Sequence, residues 1–372
     1  MEGNRNSPAF WLMTITVDCR WIDSSGIGVY LRGCLPFLLD SGHCFFLIGK
    51  SAILTPLVSA RKNVTVLDCS VVPFSFRELF FFPRNLLKEI NKSDLYYSPY
   101  FNIPGSIKVP IYPTIHDIIF PDMPELCSRQ GLAARMWFYR RAFRRSRKIF
   151  TVSEFSKSRI GYYSRRKFPV IVTYSAIQQK ILEFRERVSA KKKIIIFIGN
   201  IKKHKGLKIL IEAFLQARRE GLDYKLVIVG SRENFRSVDN DLSSVSFPCE
   251  DGSVEFTGFL PDEDLLKLVA EASLLVQPSL YEGFGLPPLE AMALGTRALV
   301  SDIPVFREIY RDFPVAYFRT GDTADLKEKL LGILYNQDRN PDSTGVLLND
   351  QLISRYTFQK TASIILEHLT KQ

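Results

Sequence analysis

The chain has 372 residues, 46% hydrophobic and 24% charged, which is long for one ordinary core and too apolar for a disordered polymer. No apolar run approaches the ~20 residues needed to cross a bilayer, the most apolar stretch (34–54) being broken by Asp40, His43 and Lys50. The net charge of +11 lies in one half: residues 1–186 hold 26 basic and 14 acidic side chains, residues 187–372 hold 24 and 25.

That asymmetry points to an anionic partner for the first half, whether phosphate, lipid surface or nucleic acid. Residues 1–10 carry a charge of each sign and no apolar segment, which predicts a cytoplasmic chain and not an exported one. Six cysteines without Cys-x-x-Cys spacing and only four histidines (43, 116, 204, 368) predict reduced thiols and no zinc site.

In chain order, MTITV (13–17) reads as a buried strand, followed by a loop ending Ser24-Ser25-Gly26-Ile27-Gly28 and a helix from Val29 to about Asp40. Short β-rich runs recur at 44–48, 64–67, 95–97, 111–115, 148–152 and 170–173, with helical segments at 131–147 and 154–163. After a charged stretch (183–193) the pattern restarts with the β-branched strand 194–198. A loop to Lys205, a helix 206–219 and strands at 225–229, 254–257, 274–277, 297–301 and 315–318 follow, with helices at 262–272 and 287–295 and a last one at about 351–370. Strand–helix alternation of this kind predicts an α/β protein of two successive units with largely parallel sheets.

Such sheets bind ligands beyond the carboxyl ends of their strands, and four loops there carry unusual residues. Gly26-Ile27-Gly28 opens a helix, as a phosphate seat or a plain turn; it lacks the third glycine of a dinucleotide fingerprint. Thr114-Ile115-His116-Asp117 ends a strand and offers an imidazole and a carboxylate, or simply a hydrogen-bonded buried histidine. Gly199-Asn200-Ile201-Lys202-Lys203-His204-Lys205-Gly206 gathers lysines between glycines, which suits a departing diphosphate or a solvated basic turn, and is not a Walker loop. Glu282-Gly283-Phe284-Gly285-Leu286-Pro287-Pro288-Leu289-Glu290 is the most specific. Prolines suit a helix's first turn, the glycines expose amides before it, and the two acids can accept hydroxyls from two parts of one ligand.

In the basic half, Arg140, Arg141, Arg144 and Arg145 mix with aromatics on a helix, and Phe80, Phe81 and Phe82 cluster near Arg77, Arg84 and Lys88. Aromatics beside cations suit an anionic membrane face, each basic residue adding about 1 kcal/mol, or else a core stripe with a solvated face. Asp239-Asn240-Asp241 has the form of a metal-binding Asp-x-Asp but lies in a polar stretch that reads as a surface loop.

These loops, in this order, resemble the retaining GT-B glycosyltransferases of family GT4, with SSGIGVY, THD, TVSEFSKSRI, GNIKKHKG, FTGFLPDEDL and PSLYEGFGLPPLEAMALGT carrying the likeness. The resemblance implies two Rossmann-like domains facing across a deep cleft: an acceptor-side domain (1–185), a nucleotide-sugar-binding domain (186–350) and a final helix (351–372) packing back on the first. It implies that Glu282 holds hydroxyls of the donor sugar, with Gly283, Phe284, Gly285 and Leu286 beside sugar and diphosphate. Glu290 would hold the ribose, Lys205 the diphosphate, Gly258, Phe259 and Leu260 the base, with His116 near the reacting centre and Gly28 near the diphosphate. Relatives often carry Arg before the lysine, where Asn200 and Lys202 stand, and Asn-Gly where this chain has Tyr174-Ser175-Ala176.

The expected activity is metal-independent transfer of a hexose, mannose from GDP-mannose first, to a lipid-linked or oligosaccharide acceptor at the inner face of the cell membrane. No cofactor beyond the nucleotide-sugar co-substrate is expected. UDP- or dTDP-sugar donors are the alternative; a sugar-nucleotide epimerase and a non-catalytic lipid- or nucleic-acid-binding protein are the rivals from other classes.

Overall fold

A computed structural model describes residues 12–24, 26–165, 168–185, 190–230, 251–339, 348 and 350–371. Strands β1 (Thr14–Asp18), β2 (Cys44–Gly49), β3 (Val64–Asp68), β4 (Leu95–Ser98) and β5 (Ile111–Pro113) form a parallel sheet in the order β3-β2-β1-β4-β5. A parallel pair, β6 (Ile149–Thr151) and β7 (Val170–Val172), extends it through a bridge between Thr114 and Phe150.

The second sheet holds β8 (Lys192–Ile198), β9 (Lys225–Val229), β10 (Val254–Gly258), β11 (Ala272–Gln277), β12 (Arg297–Ser301) and β13 (Val315–Phe318), all parallel. Its order is β10-β9-β8-β11-β12-β13. Helices cover both faces, so central strands are buried on each side and read as unbroken apolar runs: all six residues of β11 are buried. In both sheets the order reverses beside the first strand, at β1/β4 and at β8/β11. Those two switch points are where ligand crevices open.

The strand pattern of the sequence is reproduced, with shifts of a residue or two at ends. Helices not expected from the sequence occupy Ser51–Val58, Phe76–Phe80, Arg84–Ile90 and Thr323–Arg339, among others. The long final helix is in fact two, Asp350–Ile353 and Phe358–Thr370, the second capped by the Thr357 hydroxyl accepting from the Lys360 amide. This second piece lies on the first-half helix Gly26–Leu39, where the Phe358 ring fills the space a side chain at Gly33 would need. Lys148 Nζ donates to the carbonyl of His368 at 2.9 Å.

The two halves touch through specific bonds. Glu308 accepts the amides of Glu154 and Phe155 at 2.7 and 2.8 Å, capping the helix Glu154–Ser164, whose orphan N–H groups need an acceptor. The Ser153 hydroxyl donates to the Gly283 carbonyl at 2.7 Å, and Tyr281 donates to Asp122 at 2.9 Å. Gln178, Lys180 and the Ile177 amide complete the seam, the last donating to the Tyr356 carbonyl at 3.1 Å.

Candidate active site

After β8 the chain turns through Asn200, Lys202 and a short 3-10 turn, Lys203–Lys205, into Gly206. Gly206 takes φ +67, and a Cβ there would collide with the Pro278 carbonyl, so only glycine fits. The turn is fastened to the loop after β11 by the Leu280 amide donating to the His204 carbonyl at 2.7 Å.

This fastening sets Lys205 against Glu282. Lys205 Nζ donates to both carboxylate oxygens, at 2.7 and 2.8 Å, with the two side chains 21% and 10% exposed. The Ser279 hydroxyl adds a bond at 2.7 Å and the Gln277 amide one at 3.3 Å. Burial pushes the Glu282 carboxyl up, but Lys205 and the Ser279 hydroxyl outweigh it and hold the group below the ordinary carboxylate range. Glu282 is therefore charged at neutral pH.

Beyond it, Gly285 takes φ +87 directly before the helix Leu286–Ala293, whose first turn contains Pro287 and Pro288. A Cβ on Gly285 would meet the Phe306 ring, and its carbonyl accepts from the Tyr310 hydroxyl. Phe284 turns its ring away into a buried cluster with Tyr356 and Tyr174, leaving only its backbone for a ligand. Glu290 accepts from Gln178 Nε2 at 3.1 Å; burial raises its pKa more than that bond lowers it.

On the facing side, His116 follows β5. Its Nε2 bonds to the Pro99 carbonyl at 2.9 Å, and since a carbonyl only accepts, Nε2 carries the proton and Nδ1 is left with a lone pair. Burial lowers its pKa to about 4, so the ring is neutral at physiological pH. Gly283 meets this strand end directly: a Cβ on it would stand 2.5 Å from the His116 carbonyl and 3.2 Å from Asp117 Cβ.

Asp117, offered by the sequence as a carboxylate beside His116 but given no role there, lies in the site. Burial raises its pKa, and Glu282, Lys205 and Lys202 all act on it across the cleft. Lys202 is thus within electrostatic reach of the cleft although, like Asn200, it is exposed. Gly28 is buried in the first helical turn, where a Cβ would strike the Ile22 carbonyl at 2.5 Å, so close packing alone demands a glycine there. Gly258 takes φ +69 at the end of β10, followed by Phe259, 92% exposed, and half-buried Leu260. The Asp239-Asn240-Asp241 segment falls outside the described residues.

The basic patch is corrected in three places. Arg141 donates to the carbonyls of Ile103 and Pro104, and Arg145 to that of Ile107. Burial lowers the Arg141 pKa to about 10; both guanidiniums staple the irregular segment 103–107 and are not free for a partner. Phe82 is buried beneath the Arg20 guanidinium, 5.4 Å from its ring centre. Arg140 and Arg144 are exposed. So are Phe80 and Phe81, joined by Phe76, with Phe76 4.6 Å from Phe80 and 5.8 Å from Phe81 between ring centres. Phe76 and Phe80 stand four apart on one helical face, while Glu78 on the other is fully buried.

Comparison with known proteins gives a consistent picture. Residues 178–343 match the family model of glycosyl transferases group 1. O-antigen chain mannosyltransferase B of Escherichia coli is 27% identical over 237 residues, 59% of this chain and 60% of that protein. O-antigen chain mannosyltransferase RfbU of Salmonella typhimurium is 26% identical over 68% of this chain and 67% of its own. The serotype-specific mannosyltransferase WbdA of Escherichia coli matches over only 24% of its length, so the matched region spans well under two thirds of several of these relatives. Among solved structures, Anabaena HepE in complex with UDP-glucose superposes with TM-score 0.69 at 17% identity, covering 96% of this chain and 99% of that one. Sucrose-phosphate synthase of Thermosynechococcus elongatus gives 0.68 at 15%, over 96% and 98%. These likenesses establish the fold as GT-B, two Rossmann-like units about a cleft.

Proposed function

We propose, from the match of residues 178–343 to the model of glycosyl transferases group 1, that the chain transfers a hexose, mannose from GDP-mannose, to a saccharide acceptor carried on a lipid. The observation that carries this reading is the Lys205–Glu282 pair, set beside the glycine amides of Gly283 and Gly285 and opposite a neutral His116. Mannosyl donation is favoured by the O-antigen mannosyltransferases among the relatives.

In the proposed reaction the donor's C1–O bond to the diphosphate breaks as a new C1–O bond forms to the acceptor hydroxyl on the same face. The hydroxyl proton passes to the departing phosphate oxygen, so the products are a glycoside and a nucleoside diphosphate. Positive charge grows on the sugar and negative charge on the diphosphate. Lys205, Lys202 and the amides at the start of the helix Leu286–Ala293 answer the second, and this needs no metal ion. Glu282 takes sugar hydroxyls, Glu290 the ribose diol, and the neutral Nδ1 of His116 is a hydrogen-bond acceptor for the sugar or acceptor hydroxyl.

Membrane contact is assigned to Phe76, Phe80 and Phe81, 68%, 62% and 67% exposed, flanked by exposed Arg77, Arg84 and Lys88. No helix among the described residues is long and apolar enough to cross a membrane. Phe80→Asp with Phe81→Asp should lower binding to anionic vesicles at least about tenfold while leaving donor binding intact, since each ring withdrawn from the interface loses on the order of 1 kcal/mol.

The deciding experiment is calorimetry across GDP-, UDP- and dTDP-sugars, followed by release of nucleotide with and without acceptor. Selective binding of GDP-mannose supports the reading. Selective binding of another sugar nucleotide replaces the donor, and binding of none removes the transferase.

A further inference from the structure

Three aromatic side chains outside the donor side converge at the carboxyl edge of the first sheet. Trp21 follows β1, Phe74 follows β3 and Tyr100 follows β4. Their ring centres are 5.9 Å (Trp21–Phe74), 5.1 Å (Trp21–Tyr100) and 5.7 Å (Phe74–Tyr100) apart. Tyr100 stands 6.3 Å from the His116 ring, so the cluster begins where the reacting centre ends. All three are only half-buried.

Beneath the rings lies an unusual amount of buried polar structure. Arg20, 3% exposed, bridges Asp18 and Glu78, both fully buried, at 2.6 Å each. Asn102, also fully buried, donates to Glu78 at 2.9 Å and to Asp18 at 3.3 Å, and its carbonyl oxygen accepts the Trp21 indole N–H at 2.7 Å. Glu78 further accepts the amide of Phe74, which is held at φ +61. A buried ion triad is a poor stabiliser, since its desolvation cost offsets much of the attraction. What this one does is fix ring positions: Asn102 orients Trp21, and Glu78 holds the strained backbone of Phe74. A left-handed conformation at a bulky residue costs about 1–2 kcal/mol and persists only where its surroundings impose it.

We infer that Trp21, Phe74 and Tyr100 form a pre-oriented platform for a pyranose ring of the acceptor, and that Asn102 and Glu78 are its positioning residues. A half-buried indole with its N–H already satisfied presents carbon surface and little hydrogen-bonding capacity. Such a surface suits the axial C–H groups of a sugar face, which carry partial positive charge toward the negative face of the ring. The donor's sugar is accounted for by the opposite wall at Glu282, so the second saccharide of the reaction falls to this one. The platform also fits the chemistry of the site, in that it offers no charge to compete with the diphosphate. This inference rests on the glycosyltransferase reading above.

The test uses the side-chain NMR signals of Trp21, assigned by their loss in Trp21→Phe, in the full chain saturated with GDP. The probes are the methyl α-pyranosides of mannose, glucose, galactose and N-acetylglucosamine, with sorbitol as a polyol lacking a ring. At least one pyranoside should shift the Trp21 signals saturably and sorbitol should not. Read on the ring signals of Tyr100, which both variants keep, Trp21→Ala should bind that pyranoside about five- to tenfold more weakly, the value of one aromatic contact, with its GDP affinity unchanged. Trp21→Phe should recover part of the loss, which a merely structural role would not predict. Signals that ignore every pyranoside, or that follow sorbitol equally, overturn the platform while GDP binding upholds the transferase. Loss of both, with UDP and dTDP failing to bind as well, overturns the transferase and the platform with it.

Discussion

Replacing Glu282 by Gln separates what the carboxylate does for the fold from what it does for the reaction. The pair it forms with Lys205 is mostly but not wholly buried, 10% and 21% exposed, with two bonds of 2.7 and 2.8 Å. Breaking a fully buried pair costs ~3–5 kcal/mol and an exposed one ~0–1. Gln keeps an acceptor for Lys205 and for Ser279, so the loss of stability should be about 1–2 kcal/mol and the fold should survive. Bonds from sugar hydroxyls to a carboxylate are about twice as strong as those to an amide. Losing two of them in the transition state removes about 2–3 kcal/mol, or roughly 30- to 150-fold in turnover. Free GDP behaves differently. In the native chain it must draw Lys205 from a carboxylate, and in Glu282→Gln only from a weaker amide acceptor, so GDP affinity should be unchanged or tighter as turnover falls. Calorimetry with GDP beside a nucleotide-release assay reads both. Turnover within about threefold of the native value, or GDP affinity falling in step with turnover, would refute the assignment.

His116, with its pKa lowered to about 4, is neutral throughout pH 6–8; His116→Asn should change the height of the pH–rate profile there and not its shape. An inflection near the ordinary histidine value that disappears in the variant would contradict this. Glu290 is raised by burial, so its charge is a cost to the fold, fully present above its folded pKa and relieved as pH falls through it toward the ordinary carboxylate range. Glu290→Gln should raise the melting temperature at pH 7, with the gap closing near pH ~4, and weaken GDP; unchanged GDP affinity would remove it from the ribose. Gly283→Ala puts a Cβ 2.5 Å from the His116 carbonyl, a backbone atom that cannot step aside. The two halves must separate, so activity should fall at least about tenfold, as 1.4 kcal/mol of lost alignment would give, while small-angle scattering shows a wider particle and circular dichroism no unfolding.

Much of this was legible in the sequence because it was local. The run Glu282–Glu290 places glycines, prolines and acids within nine residues, and the run of strands around it has the apolar continuity of a buried parallel sheet. What escaped was set by partners distant in the chain. Arg140, Arg141, Arg144 and Arg145 look alike in sequence; only the carbonyls of Ile103, Pro104 and Ile107 decide which are consumed. Phe80, Phe81 and Phe82 are consecutive, yet the third is drawn inward by Arg20, sixty residues earlier. The Tyr174 turn, where relatives often carry Asn-Gly, keeps a left-handed residue without either: Tyr174 has φ +57, its ring lying 5.5 Å from Tyr356 and 6.5 Å from Phe284. The packing that offsets this strain comes from the end of the chain and from the donor loop, and no local pattern announces it.

On the proposed reading, the charges of the cleft let a loop without the arginine that relatives often carry still suit a diphosphate. Lys205 is not idle before a donor arrives, since Glu282 neutralises it, and Glu282 is not stranded, since Lys205 and Ser279 satisfy it. A sugar nucleotide offers replacements for both at once: phosphate oxygens for the lysine, hydroxyls for the carboxylate. A nucleoside diphosphate without its sugar replaces only one and leaves a buried carboxylate short of a cation. Each bond broken is therefore matched for the substrate and unmatched for the product, which favours loading with donor and release of the spent nucleotide. With Asn200 exposed and Lys202 reaching only the rim, selectivity in this cleft rests on that exchange more than on accumulated positive charge.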